Sequence, residues 1–114
     1  MKVAVIGSRD WDVNNLEKYL PENTTEIVSG GAKGIDTCAR NYANNNQIKL
    51  TEFLPDYKRF GRAAPIKRNY EIVDYSDMVI AFWNGSSKGT KSVIDYCKKT
   101  EKTIKIYIKG DENY

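Results

Sequence analysis

Ser29-Gly30-Gly31-Ala32-Lys33-Gly34-Ile35-Asp36 decides how this chain is read. It follows a short apolar run, Glu26-Ile27-Val28, and opens a stretch with helical periodicity. Three glycines in five residues weaken any helix or strand that has to contain them. At a strand-to-helix turn they let the backbone reverse sharply and let a ligand come close to its amide groups. The first amides of the following helix have no intrahelical partner and lie at its positive end, so such a turn holds a phosphate or carboxylate well. The alternative is a glycine turn that binds nothing.

Working outward, the next helix spans about Lys33 to Asn45. Ile35, Cys38, Ala39, Tyr42 and Ala43 form its apolar stripe. Asn44-Asn45-Asn46 ends it, because asparagine tolerates the left-handed conformation. A third strand covers Lys49 to Phe53. Upstream, Lys2-Val3-Ala4-Val5-Ile6 is an apolar run ending at Gly7, as expected of a central parallel strand. Asp12 or Asn14 caps a first helix that runs to Leu20, with Val13, Leu16, Tyr19 and Leu20 inward and Pro21 stopping it.

Downstream, Leu54 to Pro65 reads as a long irregular segment of the functional or mobile kind. A third helix from Pro65 to Tyr75 turns Ile66, Tyr70 and Val73 inward. Met78 to Phe82 is a fully apolar fourth strand. Trp83-Asn84-Gly85-Ser86-Ser87-Lys88-Gly89-Thr90 is a second glycine-rich strand-to-helix turn, and its helix buries Thr90, Val93, Ile94 and Cys97. Thr103 to Ile108 alternates Ile104, Ile106 and Ile108 with Lys105 and Tyr107, the pattern of an edge strand. The tail from Lys109 to Tyr114 is polar and reads as loose.

Five strands alternating with four helices imply an α/β fold: a Rossmann-like three-layer sandwich, with a five-stranded parallel sheet and helices on both faces. Right-handed crossovers and double winding give the strand order 3-2-1-4-5. A chain of 114 residues is read as a single domain over 1–114. It is long enough to bury roughly two thirds of its unfolded surface.

The composition narrows the chemistry. There is no histidine, which excludes a Ser-His-Asp triad, a Cys-His pair and any histidine metal site, and no metal site is expected. Cys38 and Cys97 form no Cys-x-x-Cys, and both read as buried free thiols of a cytoplasmic protein. The amino terminus enters a strand directly, with neither a signal peptide nor a membrane span. A net charge of +3 is too small to announce nucleic acid.

In the expected topology the loops at Gly7, Gly30 and Gly85 share the rim at the carboxyl ends of the strands, where open α/β sheets bind ligands. Gly7-Ser8-Arg9 does not continue as G-x-G-x-x-G, and no segment fits G-x-x-x-x-G-K-[ST]. The rim still suits a nucleotide or sugar phosphate. Arg9 can take a phosphate or carboxylate in two parallel bonds, or pair structurally with Asp36 or Asp10. Ser8 can donate to a ligand or cap its turn, and Lys33 can meet a phosphate or solvent. Asp36 can accept from ribose hydroxyls or simply favour its helix end. Trp83 stacks a base or roofs the core. Ser87, Lys88, Gly89 and Thr90 offer a second anion position. Lys58, Arg59, Arg62, Lys67 and Arg68, interleaved with Tyr57, Phe60 and Tyr70, suit a base and phosphate or a single nucleic-acid strand, or for most of these charges a solvated loop.

Four ordered motifs carry a resemblance over nearly the whole chain: Val5-Ile6-Gly7-Ser8-Arg9-Asp10-Trp11, Val28-Ser29-Gly30-Gly31-Ala32-Lys33-Gly34-Ile35-Asp36, Gly61-Arg62-Ala63-Ala64-Pro65-Ile66-Lys67-Arg68-Asn69 and Ser87-Lys88-Gly89-Thr90. The chain resembles the YspA-like members of the SLOG superfamily, small Rossmann-like domains related to the LOG ("lysine decarboxylase-like") and DprA/Smf proteins. The resemblance implies a nucleotide or nucleotide-derived ligand at the rim, and the rim residues expected to hold it are Gly7, Ser8, Arg9, Gly30, Gly31, Ala32, Lys33, Gly34, Asp36, Asn69, Trp83, Ser87, Lys88, Gly89 and Thr90. No further cofactor is required.

LOG enzymes cleave the base from a nucleoside monophosphate, with an arginine before the fourth strand and a glutamate just after a P-G-G-x-G-T turn. Arg68 matches that arginine. Gly89-Thr90 matches the end of the turn, but Lys91-Ser92-Val93 follows, with no glutamate. The expectation is therefore a ligand sensor or carrier. The alternative is a phosphoribohydrolase-like N-glycosidase using Arg68 and Glu71, or Asp36 in place of Glu71. A third reading is DprA-like binding of single-stranded DNA. Homo-oligomerisation stays open.

Overall fold

The computed structural model describes residues 1–109. Its sheet has five parallel strands, β1 (Lys2–Gly7), β2 (Glu26–Ser29), β3 (Lys49–Glu52), β4 (Met78–Trp83) and β5 (Ile104–Ile108), in the order β3-β2-β1-β4-β5. The helices are α1 (Ile35–Asn45), α2 (Tyr57–Phe60), α3 (Ala64–Tyr75) and α4 (Lys88–Thr100). The polar tail beyond residue 109 lies outside the described residues.

Alternation along the central strands divides the core in two. Val3 and Val5 of β1 face one side with Ile27, Ile80 and Phe82, and pack on Ile35, Ala39 and Ala43 of α1. Ala4 and Ile6 face the other with Val28, Val79 and Ala81, against Ile72 and Val73 of α3 and Val93, Ile94 and Cys97 of α4. Strands buried on both faces read as continuous apolar runs, which is why β1 and β4 stand out in the sequence.

The helix expected between Asp12 and Leu20 is a single 3-10 turn, Leu16–Lys18. Asp12, Asn14 and Asn15 favour turns over helix, and Pro21 closes the segment. Aromatic side chains cover the sheet in its place. Trp11 and Tyr19 meet Phe82 edge-on at 5.5 and 5.2 Å between ring centres, and Tyr107 stacks on Phe82 at 5.4 Å.

Other local expectations also shift. The stretch from Leu54 to Pro65 is not wholly irregular: it holds α2, capped by Asp56, whose Oδ1 accepts from the Arg59 amide, and a 3-10 turn at Gly61–Ala63. Ile66 is exposed, and the buried face of α3 is Ala64, Asn69, Ile72 and Val73. The left-handed residue after α1 is Gln47, not an asparagine. Ile106 and Ile108 of β5 are exposed, whereas Tyr107 packs on the core. Both cysteines are free; Cys97 is buried, and burial pushes its thiol up to about 11. Cys38 is only partly buried and accepts from the Val13 amide at 3.4 Å.

Candidate functional site

The first, second and fourth strands end at one rim, and a cleft of about 120 Å³ opens there between α3 and the start of α4. From β1 come Gly7 and Arg9, from the turn after β2 Gly30, Ala32 and Asp36, from α3 Arg68 and Asn69, and from the start of α4 Ser87, Gly89 and Thr90. Ten of the residues expected from the sequence therefore meet in one place. The apolar floor and side wall, Ile6, Pro65, Ile72 and Val93, were not foreseen. Ile6, Ile72 and Val93 continue the core on the side of α3 and α4, and Pro65 is half-buried at the start of α3.

Arg68 is the best anchored of the polar groups. Its Nη1 donates to the carbonyl of Gly30 at 2.7 Å and to that of Phe53 at 3.4 Å, and its Nε donates to Asn69 Oδ1 at 2.9 Å. Asn69 is buried and donates from Nδ2 to the Gly89 carbonyl at 3.4 Å and to Ser92 Oγ at 3.3 Å. One asparagine thus ties the guanidinium on α3 to the first turn of α4. Burial lowers the pKa of Arg68 from its ordinary value, Asp36 opposes that shift, and the nearby Arg9 adds to it.

Arg9 is exposed, and neither of the expected structural pairs forms. It has no hydrogen bond or ion pair among the described residues. Asp10 instead accepts from Asn84 Nδ2 at 3.1 Å and lies 4.0 Å from Lys109 Nζ. Asp36 is buried, and its Oδ2 accepts from the Ala32 amide at 3.1 Å, closing the glycine turn on itself. Burial raises the Asp36 pKa, outweighing the Ala32 amide, Arg68 and Ser29.

The second turn is organised by Asn84, whose importance the sequence reading missed. Its Oδ1 accepts from the amides of Ser86 and Ser87 at 2.9 and 2.8 Å, and its own amide donates to Ser8 Oγ at 3.0 Å. The Asn-Gly-Ser-Ser run is the signal for such a side-chain-closed turn. Ser87 then caps α4, its Oγ accepting from the Thr90 amide at 3.3 Å.

The remaining expected residues lie elsewhere. Ser8 is buried between the first and fourth loops. A Cβ on Gly34 would come within 2.5 Å of the Arg9 carbonyl, and one on Gly31 within 2.6 Å of Leu54 Cδ2, so these glycines serve chain packing. Trp83 donates from Nε1 to the Ser87 carbonyl at 3.1 Å and packs on the core, roofing it. Lys33 and Lys88 are exposed beside the rim and do not line the cleft. Glu71 is exposed on α3 and is not a cleft residue either. Among the cleft residues the one carboxylate is Asp36.

No group of metal-binding side chains occurs among the described residues, and no helix there is long and apolar enough to cross a membrane. With two arginines, one buried carboxylate and a capped helix start, the cleft presents net positive potential to a ligand.

The profile of the YspA, cpYpsA-related SLOG family (YAcAr) matches residues 1–60. That segment carries the loops after β1 and β2; Arg68, Asn69 and the start of α4 lie outside it. Over 62 residues the chain is 34% identical to the uncharacterized SPbeta prophage-derived protein YoqJ of Bacillus subtilis (strain 168). The match covers 48% of this chain and 36% of YoqJ, little more than a third of that relative's length. No solved structure matches.

Proposed function

The chain belongs to the YspA, cpYpsA-related SLOG family, and from that membership and the chemistry of the cleft we propose that it binds a nucleotide or nucleotide-derived ligand at the carboxyl-end rim, as a sensor or carrier. The observation that carries this reading is the meeting of Arg9 and Arg68 in one cleft, where neither forms an ion pair among the described residues and Asp36 is the one lining carboxylate. Asp36 offsets part of the Arg68 charge and Arg9 is exposed, so the two guanidiniums keep positive charge for an incoming anion. A phosphate accepts from Arg9 and from the first amides of α4. Asp36 faces the same space and takes sugar hydroxyls.

The reading of a phosphoribohydrolase has Arg68 in its favour and lacks a placed base. Cleavage of an N-glycosidic bond needs a group that activates water or stabilises positive charge on the sugar. Asp36 Oδ2 already accepts from the Ala32 amide, and Glu71 does not line the cleft.

Titration calorimetry with adenosine 5′-monophosphate, ribose 5-phosphate and adenosine tests the proposal. The two phosphates are expected to bind and adenosine to bind far more weakly; failure of both phosphates removes the reading. Free adenine released above the protein-free control would replace the sensor or carrier with an enzyme. Tight, steeply salt-dependent binding of a single-stranded oligonucleotide would move the function to nucleic acid.

A further inference from the structure

The cleft is smaller than sites that enclose a whole drug-sized ligand, which run to about 300–1,000 Å³. At about 120 Å³ it encloses only part of a nucleotide, and the rest has to lie against the protein outside. The segment leaving β3, Leu54-Pro55-Asp56-Tyr57, follows Phe53, whose carbonyl accepts from the cleft residue Arg68 at 3.4 Å. Leu54 and Tyr57 are 67% and 60% exposed, the highest values for any large apolar side chain among the described residues. Isolated exposed apolar residues are ordinary, but these two lie close to residues of the cleft. Leu54 lies over Gly31, the neighbour of the wall residue Gly30. Tyr57 is within electrostatic range of Arg68. The Asp56 cap holds Tyr57 at the first position of α2 rather than on a free loop.

The other aromatic rings near the rim are occupied. Trp83 is bonded to the Ser87 carbonyl, Phe53 packs on Tyr75 at 5.4 Å, Tyr70 stacks on Tyr96 at 4.2 Å, and Phe60 carries the Arg59 guanidinium at 5.0 Å. Tyr57 has no ring contact among the described residues.

We propose that Tyr57 and Leu54 form the platform on which the base of the ligand stacks, which makes the ligand a nucleoside 5′-phosphate rather than a sugar phosphate. This rests on the cleft's being the phosphate and sugar site, as proposed above. The planar base covers the tyrosine ring and the leucine methyls, while the phosphate and ribose fill the enclosed part between Arg9, Asp36 and Arg68. Stacking on an aromatic side chain is strong enough to set preference between ligands that share a sugar phosphate.

The test compares adenosine 5′-monophosphate with ribose 5-phosphate on the wild type, Tyr57→Ala, Tyr57→Phe and Leu54→Ala. The wild type is expected to prefer the nucleotide by about tenfold or more. Tyr57→Ala should bring the two dissociation constants together by weakening the nucleotide alone, Leu54→Ala should narrow the gap, and Tyr57→Phe should keep it. The adenine proton resonances should move upfield on binding to the wild type and not on binding to Tyr57→Ala. An unchanged preference in Tyr57→Ala overturns the platform while leaving the phosphate site standing. Failure of both ligands to bind the wild type removes the site and the platform together.

Discussion

Arg68 reaches over Gly30, donating from Nη1 to its carbonyl at 2.7 Å, and a Cβ at residue 30 would fall 2.6 Å from that same nitrogen. The glycine is therefore the seat of the guanidinium. The obstructing atom is the end of a long side chain, and Gly30 does not need a left-handed backbone, so alanine there displaces the arginine rather than the chain. Gly30→Ala is expected to fold with a Tm close to wild type and to lose phosphate-ligand affinity by about tenfold or more, since charge-assisted bonds carry about 1.5–3 kcal/mol. Thermal unfolding and calorimetry on one preparation check this. Normal affinity would mean that Arg68 does not act from its seat on Gly30.

Arg9 offers the complementary case. It is exposed and unpaired among the described residues, so the fold does not depend on its charge. Arg9→Ala should leave the urea midpoint unchanged and weaken nucleoside monophosphate binding by about 1.5–3 kcal/mol. Arg9→Lys should recover only part of this, because an ammonium cannot grip two phosphate oxygens in parallel. Glu71→Ala serves as the control, with stability and affinity both expected at wild-type level.

Gly34 and Gly89 separate folding from binding among the glycines. Gly34 has φ 72°, and a Cβ there meets the main-chain oxygens of Arg9 and Ser8 at 2.5 and 2.7 Å. Backbone cannot swing aside as an arginine tip can, so Gly34→Ala should cost about 1–3 kcal/mol or more in urea unfolding. Gly89 has nothing within 4 Å of its Cβ position and lies inside α4. Gly89→Ala should raise stability by up to about 1 kcal/mol while crowding the cleft and lowering affinity. A stable Gly34→Ala variant, or a Gly89→Ala variant with full affinity, would contradict this division.

These glycines also show what can be read from the chain alone. The strand order and the meeting of Gly7, Arg9, Gly30, Asp36, Arg68 and Thr90 at one cleft follow from chain order and crossover handedness, which apolar runs and turn residues disclose. The direction in which each glycine's missing side chain would point depends on its dihedral angles and on what packs over it, and neither is written locally. Gly31 and Gly34 belong to the same turn as Gly30 and yet face Leu54 and the Arg9 carbonyl. Likewise α2 has too few residues to show a periodic stripe, and its existence rests on the Asp56 cap. The missing first helix was hidden differently: Leu16 and Tyr19 are buried or half-buried whether the chain coils or turns, so their apolar spacing did not distinguish the two.

Two buried carboxylates should answer acid in opposite senses. Burial raises the pKa of Asp36 above its ordinary 3.8 despite the Ala32 amide and Arg68, so the native chain binds this proton more tightly than the unfolded chain. Asp36 therefore costs no stability below about 3.8, and its penalty grows as pH rises through the folded value. Asp36→Asn keeps an acceptor for the Ala32 amide and removes the charge. It should match or exceed wild-type stability at pH 7, with the difference closing near pH 3–4. Glu26 behaves inversely. Burial pushes its pKa up, but hydrogen bonds from Tyr75 and Thr51 and the charge of Lys49 outweigh it, leaving the value below the ordinary 4.5. Its stabilisation is present above 4.5 and is lost as pH falls through the folded value. Glu26→Ala should cost about 1–3 kcal/mol at pH 7, by stranding its hydrogen-bond donors, and less in acid. Urea unfolding of both variants and the wild type between pH 3 and pH 7 reads the two slopes. A wild type that outlasts Asp36→Asn increasingly as pH rises would reverse the sign assigned to Asp36.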